Sequence, residues 1–293
     1  LFVKDGVNLY TDINLLNKGT VEFGNTGNLI LDGGIDNSDA DDLSLNNAIL
    51  KLGSNTSRAV GFQTAVFGAD DQAKKVELGM LSTGGYDVTG GILNITETFT
   101  SNSGTLNAGD NVVLKSTSFD NTAIVPESTN GTVNNIRVER FIPANRAFRF
   151  LTSPVTTSGT IKPDIDDNWQ QYTHITGGLT GDGFDQNNTG NPSMFTFDNA
   201  TQTYSQIPNT DATPLINAKG YYMLIRGDRS INININDPSP TETTLKATGQ
   251  LHIGSKTVVN NVTPNGDGFI LVGNPYQAPV DLNDVITNST NID

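Results

Sequence analysis

Two loops of the sequence are rich in aspartate, whose carboxylate oxygens are the hard ligands that calcium prefers. The first loop, residues 36–42, holds four carboxylates: Asp36, Asp39, Asp41 and Asp42. Carboxylates at nearly alternate positions of a loop are typical of calcium sites. The EF-hand order is not met, because the sixth position is not glycine and no glutamate ends the loop. The sequence therefore predicts either a calcium site with Asp36, Asp39 and Asp41 as ligands or a solvated acidic corner.

A second acidic region combines aspartates with aromatic residues. Its candidate calcium ligands are Asp164, Asp166 and Asp182. Its candidate ligand-binding residues are Trp169, Tyr172 and His174, and Trp169 is the only tryptophan. A flat apolar indole face beside a metal ion would form a platform for a sugar ring. The alternative is that Trp169 packs in a cluster of loops while the acids face water.

Catalysis by these aspartates is the next possibility. Paired carboxylates hydrolyse glycosidic bonds when an acid and a base or nucleophile are held at a fixed separation, but sequence spacing does not show which aspartates meet. The chain has two histidines, His174 and His252, and contains neither a zinc-binding His or Cys pair nor a Gly-x-Ser-x-Gly motif. We therefore predict no catalytic residue, with a polysaccharide-degrading enzyme as the alternative.

The overall charge limits the partners of the chain. Lys and Arg number 17 against 31 Asp and Glu, so the net charge is −14. Such a surface repels phosphate backbones, and we expect no nucleic-acid partner. No apolar run approaches the roughly 18 residues that suggest a membrane-spanning helix. The chain begins at Leu1 without a signal peptide and ends without a terminal cap, so we expect a fragment of a longer polypeptide.

The first half of the chain, residues 1–125, repeats short alternating apolar pairs. Taking one pair per repeat, the steps from Leu29 to Leu50, Val76, Leu93 and Val112 are 21, 26, 17 and 19 residues. Irregular spacing near 20 residues is typical of a parallel β-helix, and Gly-Gly pairs mark its corners. We predict the end of a right-handed parallel β-helix, a solenoid truncated at its N-terminus. An antiparallel sandwich is the alternative, since it also has period-2 strands and glycine turns.

The second half is predicted to be a β-sandwich or jelly-roll-like module over residues 136–293, after a linker at 126–135. Its predicted strands are Arg146–Leu151, Met194–Phe197, Tyr221–Arg226, Ser230–Ile235, Leu245–Ile253 and Phe269–Val272. The nearly continuous apolar run from Tyr221 predicts a strand that is buried on both faces. The strict alternation of Ser230–Ile235 predicts a strand with one wet face.

Four arginines cluster at the start of this module: Arg137, Arg140, Arg146 and Arg149. In an otherwise acidic chain, we expect them to pair with carboxylates on a neighbouring strand or at the junction with the solenoid, and a binding patch is the alternative.

Several motifs of residues 136–293 carry a family resemblance. They are Glu139-Arg140-Phe141-Ile142-Pro143, the run from Arg146 to Pro154, the run from Asn191 to Asp198, Lys219-Gly220-Tyr221, the run from Ile225 to Arg229, and the run from Gly273 to Asp281. Together they resemble an all-β module of large secreted proteins of Bacteroidota, especially flavobacteria, and the first half resembles the repeats that precede such modules. The resemblance implies export by the type IX secretion system, a sorting domain beyond residue 293 and a module that continues past it. It supplies no catalytic motif.

The sequence thus predicts a non-catalytic adhesin or structural protein that is extracellular or displayed at the cell surface. The expected partners are the type IX machinery during export, and glycans or other surface proteins afterwards. Calcium, bound at the two acidic loops, is the one cofactor that the sequence suggests. The alternative function is a carbohydrate-binding or polysaccharide-degrading protein that uses the acidic loops around Trp169.

Overall fold

The computed structural model describes residues 1–38, 43–53, 61–79, 84–127, 129–235, 238–258 and 268–290. The fold is nearly all β, and its first half is a β-solenoid of about six coils. The predicted all-β class and solenoid are therefore confirmed. No helix of the described segments is long and apolar enough to span a membrane.

The solenoid is built from short strands, as the alternating pairs predicted. In chain order they are β1 (Phe2–Val3), β2 (Val7–Thr11), β3 (Leu15–Leu16), β4 (Val21–Phe23), β5 (Gly27–Leu31), β6 (Ile35–Asp36), β7 (Leu43–Ser44), β8 (Ile49–Leu52), β9 (Gln63–Val66), β10 (Asp71–Leu78), β11 (Gly85–Gly90), β12 (Leu93–Ser101), β13 (Thr105–Asn107), β14 (Val112–Leu114), β15 (Thr132–Asn134) and β16 (Ile136–Ile142).

These strands stack in three parallel ladders. One ladder runs through β1, β4, β7, β10, β12, β14 and β16. A second runs through β2, β5, β8 and the later part of β10. The third runs through β3, β6, β9, β11, β13 and β15. Each coil therefore contributes up to three short strands, with loops of varying length at the corners, which accounts for the irregular repeat length.

Equivalent apolar residues lie directly above one another inside the solenoid. Leu29 pairs with Leu50, Leu50 with Val76, and Val76 with Phe99, and each of the four is at most 2% exposed. A single coil cannot bury such side chains, whereas a stack buries them against the coils above and below. The period-2 pattern in the sequence arises because successive side chains along each strand point alternately into and out of the solenoid.

A buried polar chain also links neighbouring coils. The Asn17 side-chain amide donates to Asn37 Oδ1 at 2.7 Å, and the Asn37 amide donates to Asp71 Oδ2 at 2.7 Å. All three side chains are at least nine-tenths buried. An exposed counterpart joins Asn28 to Asn8 at 2.6 Å. Such bonds satisfy polar groups that the turns would otherwise leave unpaired in the interior.

The remaining elements follow β16. They are β17 (Ala147–Leu151), β18 (Val155–Thr156), β19 (Met194–Asp198), β20 (Thr203–Gln206), β21 (Tyr221–Ile225), β22 (Thr243–Leu251), two 3₁₀ helices (Trp169–Tyr172 and Thr180–Asp182) and α1 (Leu282–Thr287). Strands β17, β21, β19 and β20 form a four-stranded antiparallel sheet in that order. Asp281 caps α1 by accepting from the Asn283 amide. Such a short helix had no recognisable periodicity in the sequence.

The solenoid and the second half share one sheet. β16 pairs in parallel with β14 on one side and in antiparallel register with β22 on the other, from Ile136↔Gly249 to Ile142↔Thr243. β18 extends this sheet beyond β22. The segment predicted as a linker, 126–135, contains β15, which continues the third ladder. The prediction of a sandwich-like module agrees in part with these sheets. The four-stranded sheet belongs to the second half alone, whereas the sheet that contains β16 and β22 is shared by both halves.

Four of the predicted second-half strands are confirmed as β17, β19, β21 and β22, with ends that shift by at most two residues. The prediction for Ser230–Ile235 is wrong, because this segment forms turns. Asn232 Oδ1 accepts from the Asn234 amide at 3.0 Å, and such local side-chain bonds compete with strand pairing. The prediction for Phe269–Val272 is also wrong, since only Val272 forms a bridge, to Lys219.

The predicted pairing of arginines at the junction is confirmed for Arg137. It forms a bidentate ion pair with Asp110, which precedes β14. Glu139, on the same strand, is 4% exposed and lies within 3.0 Å of Lys115 Nζ and 3.3 Å of Lys246 Nζ. Two carboxylates therefore tie the solenoid to the module.

Candidate functional site

Trp169 lies in the first 3₁₀ helix, which is held against β22. The preceding Asn168 donates its side-chain amide to the carbonyl oxygens of Lys162 and Asp164, and its Oδ1 accepts from the Thr248 amide at 2.7 Å. Trp169 is consequently 4% exposed and packs edge-on against Tyr221, with ring centroids 5.5 Å apart. The indole is therefore packed, as the alternative expects, and a ligand-binding role for Trp169 stays a prediction.

Tyr172 ends the same helix and is half-buried. The Lys246 ammonium lies 5.1 Å from the centroid of its ring, a cation–π distance. Lys246 also pairs with Glu139. Tyr172 is thus part of the junction between β16, β22 and the helix, and its ring face is already occupied by a cation.

His174 lies in a polar cluster with Asp185 and Arg229. Its Nδ1 lies 3.2 Å from Asp185 Oδ2, and its Nε2 lies 3.2 Å from the Arg229 carbonyl oxygen. Arg229 binds Asp185 through both terminal nitrogens, at 3.0 and 2.8 Å. Burial would raise the pKa of Asp185, but the hydrogen bonds from His174 and Arg229 outweigh it and lower that pKa. The cluster holds together the three loops that carry His174, Asp185 and Arg229.

The acids near Trp169 are brought together only in part. Burial, followed by the charges of neighbouring aspartates including Asp211, raises the pKa values of Asp164 and Asp166. Asp182 instead accepts from the Asn209 side-chain amide at 3.2 Å. Within the described part of the chain, no group of three or more His, Cys, Asp or Glu side chains is arranged to hold a metal ion. The predicted calcium site at these residues gains no support from the geometry.

Asp36 is the only candidate calcium ligand of the first acidic loop that lies within the described residues. Its Oδ1 accepts from the Ser38 hydroxyl at 2.6 Å and from the Ser38 amide at 3.1 Å, and these bonds lower its pKa. This arrangement closes a local turn. Asp39 and Asp41 lie outside the described residues, so calcium at this loop stays a prediction.

Sequence reasoning missed an aromatic surface on the four-stranded sheet. Alternate residues of its strands point to one side, and the cross-strand pairs Phe150↔Tyr222, Phe195↔Tyr222 and Phe197↔Tyr204 set their register. We call this surface the aromatic face and define it by Phe148, Phe150, Phe195, Phe197, Tyr204 and Tyr222. The opposite side carries Met194, Tyr221, Met223 and Ile225, all buried in the core.

The aromatic face is open to solvent. Phe148, Phe150 and Tyr204 are 41%, 63% and 48% exposed. Tyr222 lies at its centre, stacked on Phe148 with centroids 4.5 Å apart and 5.3 Å from Tyr204. The prediction that the strand from Tyr221 is buried on both sides is therefore wrong, because Tyr222 and Leu224 are only half-buried. The alternating Phe148-Arg149-Phe150 pattern was a signal of this face, but the sequence does not say which face is covered.

The charge of the aromatic face differs from that of the whole chain. Its remaining strand positions are Leu224 and Gln206, so these strands place no carboxylate on it, although the chain has 31 acidic residues. Arg146 and Arg226 adjoin the last registered pair, Ala147↔Ile225. Burial, and then the charge of Arg146, lower the pKa of Arg226. One end of the aromatic face is consequently positive.

An open aromatic surface of this kind is suited to contact with another molecule. Aromatic side chains are enriched at recognition surfaces, where they bury a large apolar area at a small cost in conformational entropy. Because Phe148 and Tyr222 stack on each other, part of their ring area is already used within the chain. Comparisons of the chain with protein families, with curated proteins and with solved structures found no match.

Proposed function

We propose that the chain is a non-catalytic adhesive or structural protein of the cell surface, exported as a type IX secretion substrate. The observation that carries the adhesive role is the aromatic face, which exposes Phe148, Phe150 and Tyr204 on one side of a sheet. A contiguous exposed apolar patch costs solubility and is a mark of interaction sites in soluble proteins.

The attachment of this surface to the solenoid supports the proposal. β17, the first strand of the four-stranded sheet, follows directly after β16, which is hydrogen-bonded into the solenoid sheet. The sheet that bears the aromatic face is therefore mounted on a stack of coils rather than on a flexible linker. A rigid support reduces the conformational entropy that contact with a surface would otherwise cost.

The secretion part of the proposal rests on the motifs of residues 136–293 that resemble modules of Bacteroidota surface proteins. The non-catalytic part is supported by the positions of the polar candidates. His174 and Asp185 are engaged with Arg229, and Asp182 is engaged with Asn209.

A bead-retention experiment tests the adhesive role. Fluorescent beads coated with the purified chain would be flowed over cellulose, chitin, alginate, collagen and polystyrene surfaces. We expect retention on at least one surface, and a drop of about thirtyfold for the double variant Phe148→Ser/Tyr204→Ser, since each exposed ring contributes on the order of 1 kcal/mol.

Phe62→Ser is the matched control, because Phe62 is 51% exposed but lies in the solenoid. It should leave retention unchanged. The adhesive proposal fails if coated beads are retained no better than bare beads, or if Phe62→Ser and the double variant lose retention equally.

Protease treatment of intact cells that produce the full protein tests the location. Peptides of this chain should be released from intact cells and detected by mass spectrometry. Recovery of those peptides only after lysis would contradict export to the surface.

The enzymatic alternative has its own test. Incubation of the chain with the same polysaccharides should produce no new reducing ends. An activity that disappears in Asp166→Asn or Asp182→Asn would replace the adhesive proposal with polysaccharide cleavage.

A further inference from the structure

A cleft of about 520 Å³ opens where the solenoid meets the module. Its floor is one face of the shared sheet. Val138 pairs with Ala247, and Arg140 with Leu245, so these four side chains point to the same side. A volume of this size falls within the range of small-molecule sites, about 300–1,000 Å³.

The floor is apolar at its centre. Val138, Leu245 and Ala247 are at most 4% exposed, and Trp169 lines the cleft beside them. A ligand in the cleft would therefore lie next to the only tryptophan of the chain.

Aromatic rings form the walls. Phe119, which comes from the solenoid side, is 67% exposed, and Phe150, from β17, is 63% exposed. Tyr276 lines the cleft as well. An apolar body that enters between these rings would remove a large exposed aromatic area from water, which favours binding.

The segment from Asn274 to Pro279 also lines the cleft and is hydrogen-bonded to both halves of the protein. The Gln277 carbonyl oxygen accepts from the Val125 amide at 2.8 Å, and its side chain donates to the Ala123 carbonyl oxygen at 3.0 Å. The Asn217 side chain donates to the Pro275 carbonyl oxygen at 2.6 Å. These bonds hold the cleft open in a preformed shape, which lowers the cost of binding.

The polar groups of the cleft select an anion. Arg140 is exposed on the apolar floor, and within the described residues it forms no hydrogen bond or ion pair. The Oγ1 of Thr152 is buried and has no partner there. Glu139 is engaged by Lys115 and Lys246, so it does not neutralise Arg140. Asp120, the other acid that lines the cleft, is exposed.

We propose that this cleft binds a small amphiphilic anion, an aromatic or branched aliphatic carboxylate or sulfonate. Arg140 binds the charged group, and Trp169, Phe150 and Tyr276 enclose the apolar body. A guanidinium provides two parallel N–H donors that match the geometry of such an anion.

Titration with 1-anilinonaphthalene-8-sulfonate tests this assignment, because the probe combines an aromatic body with one sulfonate. We expect saturable binding to the folded chain, with increased probe emission and quenching of Trp169 emission. Arg140→Gln should weaken binding by about tenfold, the usual value of one charge-assisted hydrogen bond. Lys75→Gln, which removes an exposed cation of the solenoid, should leave the affinity unchanged.

The uncharged analogue N-phenyl-1-naphthylamine separates the sulfonate contact from apolar packing. It should bind more weakly and should be insensitive to Arg140→Gln. The proposal is overturned if the sulfonate probe does not bind, if it binds without quenching Trp169, or if its affinity falls in Tyr204→Ser rather than in Arg140→Gln. The last result would place the probe on the aromatic face.

Discussion

Arg137 and Asp110 form a bidentate ion pair at the boundary between solenoid and module, with Nε–Oδ1 and Nη2–Oδ2 distances of 2.8 and 2.6 Å. Asp110 also lies 2.9 Å from Lys162 Nζ and accepts from the Thr248 hydroxyl. Burial would raise the pKa of Asp110, but the bonds from Arg137, Lys162 and Thr248 outweigh it and lower that pKa. One carboxylate thus joins the last coils to two segments of the module.

We predict that Asp110→Asn lowers the free energy of unfolding at pH 7 by about 2 kcal/mol, since it leaves two partly buried cations without their counter-ion. Asparagine tolerates the left-handed φ of 69° at this position, so backbone strain does not contribute. Urea unfolding of the variant and of the wild type gives the difference. Asp120→Asn, at an exposed position, should cost less than about 0.5 kcal/mol.

The difference in unfolding free energy between the wild type and Asp110→Asn should depend on pH with a definite sign. Because the folded-state pKa of Asp110 is lower than the unfolded value of 3.8, its stabilisation is complete above pH 3.8 and is lost as the pH falls through the folded-state pKa. The gap between wild type and Asp110→Asn should therefore close in acid. A gap that stays constant with pH would show that the carboxylate charge is not responsible.

Asn37→Ala should destabilise the solenoid by about 3 kcal/mol, because it leaves the buried Asn17 donor without a partner and removes one of the two hydrogen bonds to Asp71 Oδ2, which keeps the bond from the Gly68 amide. Asn28→Ala removes a similar bond at an exposed position and should cost no more than about 1 kcal/mol. Urea unfolding monitored by circular dichroism measures both. Equal losses would contradict a special role for the buried chain.

Gly85→Ala should cost about 3 kcal/mol or more, since its Cβ would lie 1.8 Å from the Thr105 carbonyl oxygen of the adjacent coil. The control is Gly19→Ala, where a Cβ would meet nothing within 4 Å. It should change stability by less than about 1 kcal/mol, in the stabilising direction. Thermal unfolding of the two variants measures the difference in stability, and similar melting temperatures would contradict the predicted clash at Gly85.

Asp166→Asn should stabilise the protein at neutral pH. The folded-state pKa of Asp166 is raised by burial and by neighbouring aspartates, so its ionised form opposes folding above that pKa, and the penalty disappears as the pH falls below the unfolded value of 3.8. The variant should unfold at higher urea than the wild type at pH 7 and at the same urea in acid. A loss of stability at pH 7 would indicate that the carboxylate has a favourable partner.

The solenoid was predictable because stacking repeats one local pattern. Leu29, Leu50 and Val76 alternate with outward residues in the sequence, and the same residues pair in the ladder. A pattern that each coil carries in its own sequence needs no knowledge of distant contacts. The continuation of the ladder through β15 and β16 was harder to see, because Thr132–Asn134 offers three residues only.

The fold of the second half was less predictable from the sequence, because it depends on contacts between distant segments. The alternation in Ser230–Ile235 is that of a strand, yet Asp228 Oδ1 accepts from the Ser230 amide, and Asn232 closes the next turn. Phe148 and Phe150 have the pattern of core residues, but their side of the sheet stays open. Periodicity identifies which residues share a face, and only the tertiary fold decides whether that face is covered.

The hydrogen-bonding of β16 on both edges has a mechanical consequence. A pull applied along β16 would act on this strand lengthwise, so the seven registered pairs with β22 would have to slip together in shear. The boundary between the halves should consequently be among the stiffest parts of the molecule under tension, and its extension should begin elsewhere, at the terminal coils with their shorter strands.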